Sequence, residues 1–238
     1  MYAASNDNKV RTLAPLYPRF LGTSCSACSQ TLHIIHVMRP SLFEIRITLY
    51  PLDVSPPEGF WFSTWLPFSQ EYADARLTEV GKEQCAKLKA DNPGLKETEL
   101  VVISPLSRAI QTALLSIEQV EGVPWIALEC ARERSGNHPC DRRRPVHELK
   151  ENFPTIIFDN IDEGEDKLHD ANERESEESL MKRAKELLDW LGSRTETNIV
   201  VVTHAVLLMC FFNEVLVAPA NFARRFENCE LRTLNMEF

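Results

Sequence analysis

Apolar residues are spaced differently in the two parts of this chain. From Tyr72 onward, short apolar runs and amphipathic repeats alternate regularly. Residues 100–103 (LVVI) and 198–203 (NIVVVT) hold continuous apolar runs, the pattern of strands buried on both faces. Residues 125–128 read as another short strand, and residues 232–238 as a last one. Thr78 suits the N-cap of a helix carrying Val80, Cys85 and Leu88. Ser104 and Pro105 suit the N-cap and first turn of a second helix, running through Leu114 and Leu115. Leu180, Ala184, Leu187, Leu188 and Leu191 recur at helical spacing and predict a long amphipathic helix. Residues 206–216 predict an apolar one.

The first part is less regular. Residues 31–39 (TLHIIHVMR) form an apolar run suited to a buried strand. Residues 1–30 are polar and rich in small residues, and the expectation there is poor order. Residues 40–70 contain no lysine, but hold Pro40, Pro51, Pro56, Pro57 and Pro67 and the cluster Phe60, Trp61, Phe62 and Trp65. That segment shows no sustained helical or strand period and reads as an atypical insert in one domain spanning residues 31–238. The polar stretch 132–144 and the acidic stretch 163–173 read as solvated loops.

Strands alternating with helices imply βαβ units, so the expected fold class is α/β: a three-layer α/β/α sandwich with a mainly parallel central sheet. In such sheets ligands bind at the carboxyl ends of strands. That rule selects the positions after Met38, Ile103 and Val202, and at or just beyond them stand Arg39, Arg108 and His204. Arginine pairs two phosphate oxygens with its planar fork, and backbone N–H groups in a helix's first turn add to the same field. An imidazole at the end of a strand can donate to an oxyanion. Glu133, in the polar stretch, has the chemistry of a general acid. Each has a plainer reading: surface helix arginine, core histidine, solvated glutamate.

Charge and motifs narrow the classes. The formal net charge of −9 argues against a nucleic-acid partner. No run of about 18 apolar residues suggests a membrane span. The seven cysteines include one C-x-x-C pair, Cys25 and Cys28, with no second pair at zinc spacing, so no metal site or cofactor is expected. Reduced thiols and the lack of a secretory pattern point to the cytoplasm, although Arg11, Arg19 and the nearby serines also suit an organellar leader. There is no Cys-x5-Arg, P-loop or nucleophile elbow.

Order and local context then change the picture. Residues 74–84 (DARLTEVGKEQ) match an L-T-x-x-G-x-x-Q helix start, and residues 104–113 (SPLSRAIQTA) match S-P-L-x-R-A-x-Q-T-A. Residues 133–143 (ERSGNHPCDRR) match E-x-x-G-x-H-P-C-D-x-R, and residues 201–204 (VVTH) end a strand on a histidine. In these motifs the chain resembles the histidine phosphatase superfamily, particularly its phosphoglycerate-mutase-like branch from plants and fungi.

The resemblance implies a phosphomonoester hydrolase working through a phosphohistidine on a small phosphorylated metabolite. It assigns Arg39, Arg108 and His204 to phosphate binding and His204 and Glu133 to catalysis, without a metal. It also exposes a departure: the family's nucleophilic histidine follows that arginine, whereas this chain has Pro40. His36 and His33 are poor replacements by position. Two explanations follow, a misread coding segment over residues 40–70 or an inactive relative that binds a phosphorylated ligand or protein partner. Substrate, oligomeric state and the choice between phosphatase and mutase are not legible.

Overall fold

The computed structural model describes residues 2–4, 9–12, 31–38, 47–51, 73–217 and 230–236. In chain order the strands are β1 (Tyr2–Ala4), β2 (Lys9–Thr12), β3 (Thr31–Met38), β4 (Ile47–Pro51), β5 (Leu100–Ile103), β6 (Trp125–Ala127), β7 (Asn198–His204), β8 (Leu216–Val217) and β9 (Leu231–Met236). The helices are α1 (Glu79–Asp91), α2 (Ser107–Ser116), α3 (Val146–Asn152), α4 (Glu177–Gly192) and α5 (Ala205–Cys210). Among the described residues the strands form one sheet in the order β6-β5-β7-β3-β9-β2-β1-β8, with β4 paired to β3.

The apolar runs of β5 and β7 explain the layering. Side chains alternate across a strand, so a run with no polar residue must be covered on both sides. Leu100, Val102, Ile199 and Val201 face one core, filled by Leu180, Leu187, Leu188 and Leu191 of α4 and Leu207 and Leu208 of α5. Val101, Ile103, Val200 and Val202 face the other, filled by Cys85 and Leu88 of α1, Ala109, Ile110 and Ala113 of α2, and Leu149 of α3. This is the expected α/β/α sandwich. β5 runs parallel to both β6 and β7, with Ile103 opposite Val202, so these two strands end together.

β3 departs from the expected arrangement. It is parallel to β9 but antiparallel to β7, so Leu32 lies opposite His204 while Met38 pairs with Asn235. The end of β3 that leads to Arg39 is therefore not the end beside His204.

Several local expectations also change. β1 and β2 lie within the segment read as poorly ordered, and β4 lies within the atypical insert. The run Ile47, Thr48, Leu49 and Tyr50 has the branched and aromatic residues that favour a strand, and Pro51 stands at its end. The rest of those two segments, with Cys25, Cys28, Arg39, Pro40 and the aromatic cluster, lies outside the described residues. The helix from residue 206 is shorter than its apolar run: α5 widens at Phe211–Val215 into a π-helical turn, and Leu216 passes into β8.

Candidate active site at the ends of β5 and β7

α1 starts as expected, with the Thr78 hydroxyl accepting from Gly81 N at 3.2 Å. α2 does not. Its first residue is Ser107, and Leu106 occupies the cap position without a side-chain bond. Ser104 Oγ accepts from Leu106 N at 3.4 Å, just ahead of the helix, and also lies 2.7 Å from Nε2 of His204. The cap comes instead from Asp74, whose two carboxylate oxygens accept from Ser107 N at 2.7 Å and Ser107 Oγ at 2.5 Å. An acid at this end of the helix also suits its dipole.

This start aims Arg108, the second residue of α2, inward. Only 1% of it is exposed, so the surface reading of Arg108 fails. It donates to the Cys140 carbonyl at 2.6 Å and to Asp141 Oδ1 at 2.9 Å, and lies 3.4 Å from Nδ1 of His204. Its Nε is buried without a partner among the described residues. A guanidinium can only donate, so a bond across that distance requires Nδ1 of His204 to accept, with the ring hydrogen on Nε2 toward Ser104. His204 is fully buried at the end of β7.

The polar stretch after β6 is not a solvated loop. Arg132, Glu133, Ser135, Asp141 and Arg143 are all buried. Arg132 donates to Asp166 through both terminal nitrogens, at 2.8 and 2.5 Å, and to Glu129 at 2.5 Å. The acidic stretch 163–173 is mostly exposed, as expected, with the Asp166 side chain enclosed by this pairing. Arg183 of α4 braces the same stretch through the carbonyls of Cys130, Arg132 and Glu133, while its Nε and NH2 bind Glu175.

Glu133 is 4% exposed. Its carboxylate accepts from Arg134 N at 2.8 Å and from Val206 N, in the first turn of α5, at 3.5 Å. Burial first, and the negative charge of Asp141 second, push its pKa up to about 7 against the opposing pull of Arg134 N–H, Arg108 and Arg174. A carboxyl in that range holds a proton near neutral pH. Asp141 itself is shared, Oδ1 with Arg108 and Oδ2 with Arg174, each at 2.9 Å.

Of the three strand ends selected from the sequence, two meet here. Arg108, His204 and Glu133 are brought into one buried cluster; Arg39 lies outside the described residues. Sequence reasoning gave no role to Ser104 as a partner of His204, to Asp141, or to Arg174. Asp141 stood within a quoted motif, but Arg174 had no signal beyond its charge. Among the described residues, no group of three His, Cys, Asp or Glu side chains is placed to hold a metal ion.

The family model of the histidine phosphatase superfamily (branch 1) matches residues 65–237, well over half of the chain. The chain belongs to the histidine phosphatase superfamily. It is 33% identical to phosphoglycerate mutase-like protein 1 of Arabidopsis thaliana, with 70% of this chain and 71% of that protein covered. A second Arabidopsis phosphoglycerate mutase-like protein is 32% identical, with 70% and 74% covered. Among solved structures, the ecdysone phosphate phosphatase of Bombix mori, crystallised with tungstate, is similar with a TM-score of 0.49 and 14% identity, covering 69% of this chain and 70% of that one. For this superfamily member the buried cluster at the ends of β5 and β7 is the candidate active site.

Proposed function

We propose that this chain handles a small phosphorylated metabolite at the Arg108–His204–Glu133 cluster, as a phosphomonoester hydrolase of histidine phosphatase type. The observation that carries the reading is the meeting of a buried arginine, a buried histidine, and a buried carboxyl whose pKa is pushed up to about 7. Arg108 and His204 would bind phosphate oxygens by turning toward them donors now held by Cys140, Asp141 and Ser104, and Glu133 is a proton source for a leaving alcohol. In the family chemistry a histidine nitrogen attacks phosphorus and the ester oxygen leaves with the Glu133 proton. Water then attacks the phosphohistidine, returns a proton to Glu133 and frees the histidine.

Arg39 enters the proposal as a phosphate ligand on resemblance alone, and the direction of β3 lends it no support. One further observation favours a second reading. The residue after Arg39 is Pro40, which cannot accept a phosphoryl group, and on this second reading the cluster serves as a binding site without turnover.

Hydrolysis of p-nitrophenyl phosphate and binding of inorganic phosphate by the full chain separate the readings. Turnover that Arg108→Ala and His204→Ala each cut by at least about a hundredfold supports the hydrolase, on the scale of a lost transition-state donor. Phosphate binding without turnover supports the second reading, and neither binding nor turnover refutes both.

A further inference from the structure

Asp74 reaches Arg108 from two sides. Its side chain grips Ser107, the residue before the arginine, with Oδ1 accepting from Ser107 N and Oδ2 from the Ser107 hydroxyl. Its own backbone N donates at 3.3 Å to the carbonyl of Pro139, the residue before Cys140 and Asp141, which supply the acceptors of Arg108. One residue thus ties down both the helix start that carries the arginine and the loop that receives it. Leu77 N adds a second tie to the same helix, donating to Gln111 Oε1 at 2.9 Å.

Its surroundings separate Asp74 from an ordinary helix cap. A local side chain would serve to start a helix, yet this one comes from 33 residues earlier in the chain. The carboxylate is fully enclosed, a costly place for a charge. Burial pushes its pKa up from the usual aspartate value, against the Ser107 bonds and the charges of Arg108 and Arg144. Its φ of +49° is left-handed, which among the described residues other than glycine only Asn137 shares. Strain of that kind persists where the surroundings over-determine it.

The loop has its own anchor on the far side. Arg174 NH1 donates to Asp141 Oδ2 at 2.9 Å and to the Gly136 carbonyl at 2.6 Å. Beside it, Asn137 N donates to Asp170 O at 2.8 Å, Glu175 N to Ser135 O at 2.9 Å, and Arg134 Nε to Glu175 O at 2.7 Å. Gly136 allows this closeness: its φ is +84°, and a Cβ there would lie 1.9 Å from the Glu173 carbonyl oxygen. Asp74 joins the loop so stitched to the start of α2.

We propose that Asp74 is a positioning residue for Arg108, setting the arginine and its loop relative to each other so that the guanidinium meets a phosphate in one place. The effect on ligands rests on the phosphate reading given above; the placement of Arg108 does not.

The test compares Asp74→Asn, Ser107→Ala and Thr78→Ala in the full chain. Asparagine tolerates the left-handed backbone but offers one acceptor oxygen and no charge. Ser107→Ala removes one of the two carboxylate bonds. Thr78→Ala removes the cap of α1, a loss of the same kind away from Arg108. In calorimetric titration, inorganic phosphate should bind Asp74→Asn at least about tenfold and Ser107→Ala about threefold more weakly than wild type, with Thr78→Ala within about twofold. Hydrogen exchange of the Arg108 Nε–H, followed by NMR and assigned from its loss in Arg108→Lys, should quicken at least about tenfold in Asp74→Asn and stay within about twofold in Thr78→Ala.

An Asp74→Asn chain that matches Thr78→Ala in either readout overturns the inference and leaves Asp74 a helix cap. If Asp74→Asn does not fold, Ser107→Ala decides, and Arg108 exchange within about twofold of wild type in that variant overturns it. Wild type that binds no phosphate defeats the phosphate reading alone, and Arg108 exchange then judges the placement by itself.

Discussion

Replacing Glu133 with glutamine tests the electrostatics of the cluster whether or not the chain turns anything over. The carboxyl's pKa rises from 4.5 to about 7 on folding, through burial and then the Asp141 charge. At about 1.4 kcal/mol per pKa unit, that rise is a linkage of about 3 kcal/mol. The sign follows from which state holds the proton. Between those two values the folded chain keeps it and the unfolded chain releases it. Stability from this group is fully present below pH 4.5 and lost as pH rises through about 7.

Glu133→Gln cannot ionise and lacks this dependence. It does lose something, because an amide offers one oxygen where the carboxylate accepts from both Arg134 N and Val206 N. That loss does not vary with pH. Urea unfolding at several pH values, with the slope of each transition checked for constancy, reads the difference directly. From pH 4.5 to 8, wild type should lose about 3 kcal/mol more stability than Glu133→Gln. Parallel pH profiles, within about 1 kcal/mol, would refute the account and leave Glu133 an ordinary ionised carboxylate.

Two other perturbations address the scaffold. Asp166→Ala takes the bidentate partner from fully buried Arg132, leaving it Glu129 and the Asp141 carbonyl, and should cost about 3 kcal/mol at pH 7 in urea unfolding. Burial raises the Asp166 pKa, but the Arg132 hydrogen bonds and charge and backbone N–H groups outweigh it and hold the carboxyl below its usual range. The gap between wild type and Asp166→Ala should therefore persist above the usual aspartate range and close as pH falls through the depressed value; a gap unchanged in acid would show that charge is not the cause. Gly136→Ala must displace the Glu173 backbone and adopt a left-handed φ, and should destabilise by at least about 2 kcal/mol. A thermal midpoint equal to that of wild type would contradict the close approach.

The sandwich was legible because β5 and the middle of β7, residues 199–202, are unbroken apolar runs. Residues 100–103 and 198–203 fixed β5 and β7 closely, and the spacing from Leu180 to Leu191 fixed α4. Arg108, His204 and Glu133 were legible through the strand ends and motifs that carry them. Their burial was not. Residues 132–144 have the composition of a wet loop, and only long-range pairs such as Arg132 with Asp166 and Arg183 with the backbone around Glu133 put that stretch inside. The start of α2 was misplaced for a related reason. Ser104 accepts from Leu106 N, one residue short of the helix, and Asp74, far back along the chain, accepts from Ser107 N at the helix start itself. The direction of β3 was invisible too, because an apolar run reads the same whichever way the strand is laid.

The stitching of the Arg174 segment to residues 134–137 also bears on the order in which the molecule folds. Its bonds join positions far apart in sequence, with separations of 33 from Asp141 and 38 from Gly136. Little is gained until both partners are already held by the sheet and helices. Closing such a loop loses chain entropy before its contacts form, so this segment belongs to the last steps of folding. Contacts made after the rate-limiting barrier govern how fast the native state comes apart more than how fast it assembles. The same few bonds that bring Arg174 to the cluster therefore act as a latch on the lifetime of the folded chain.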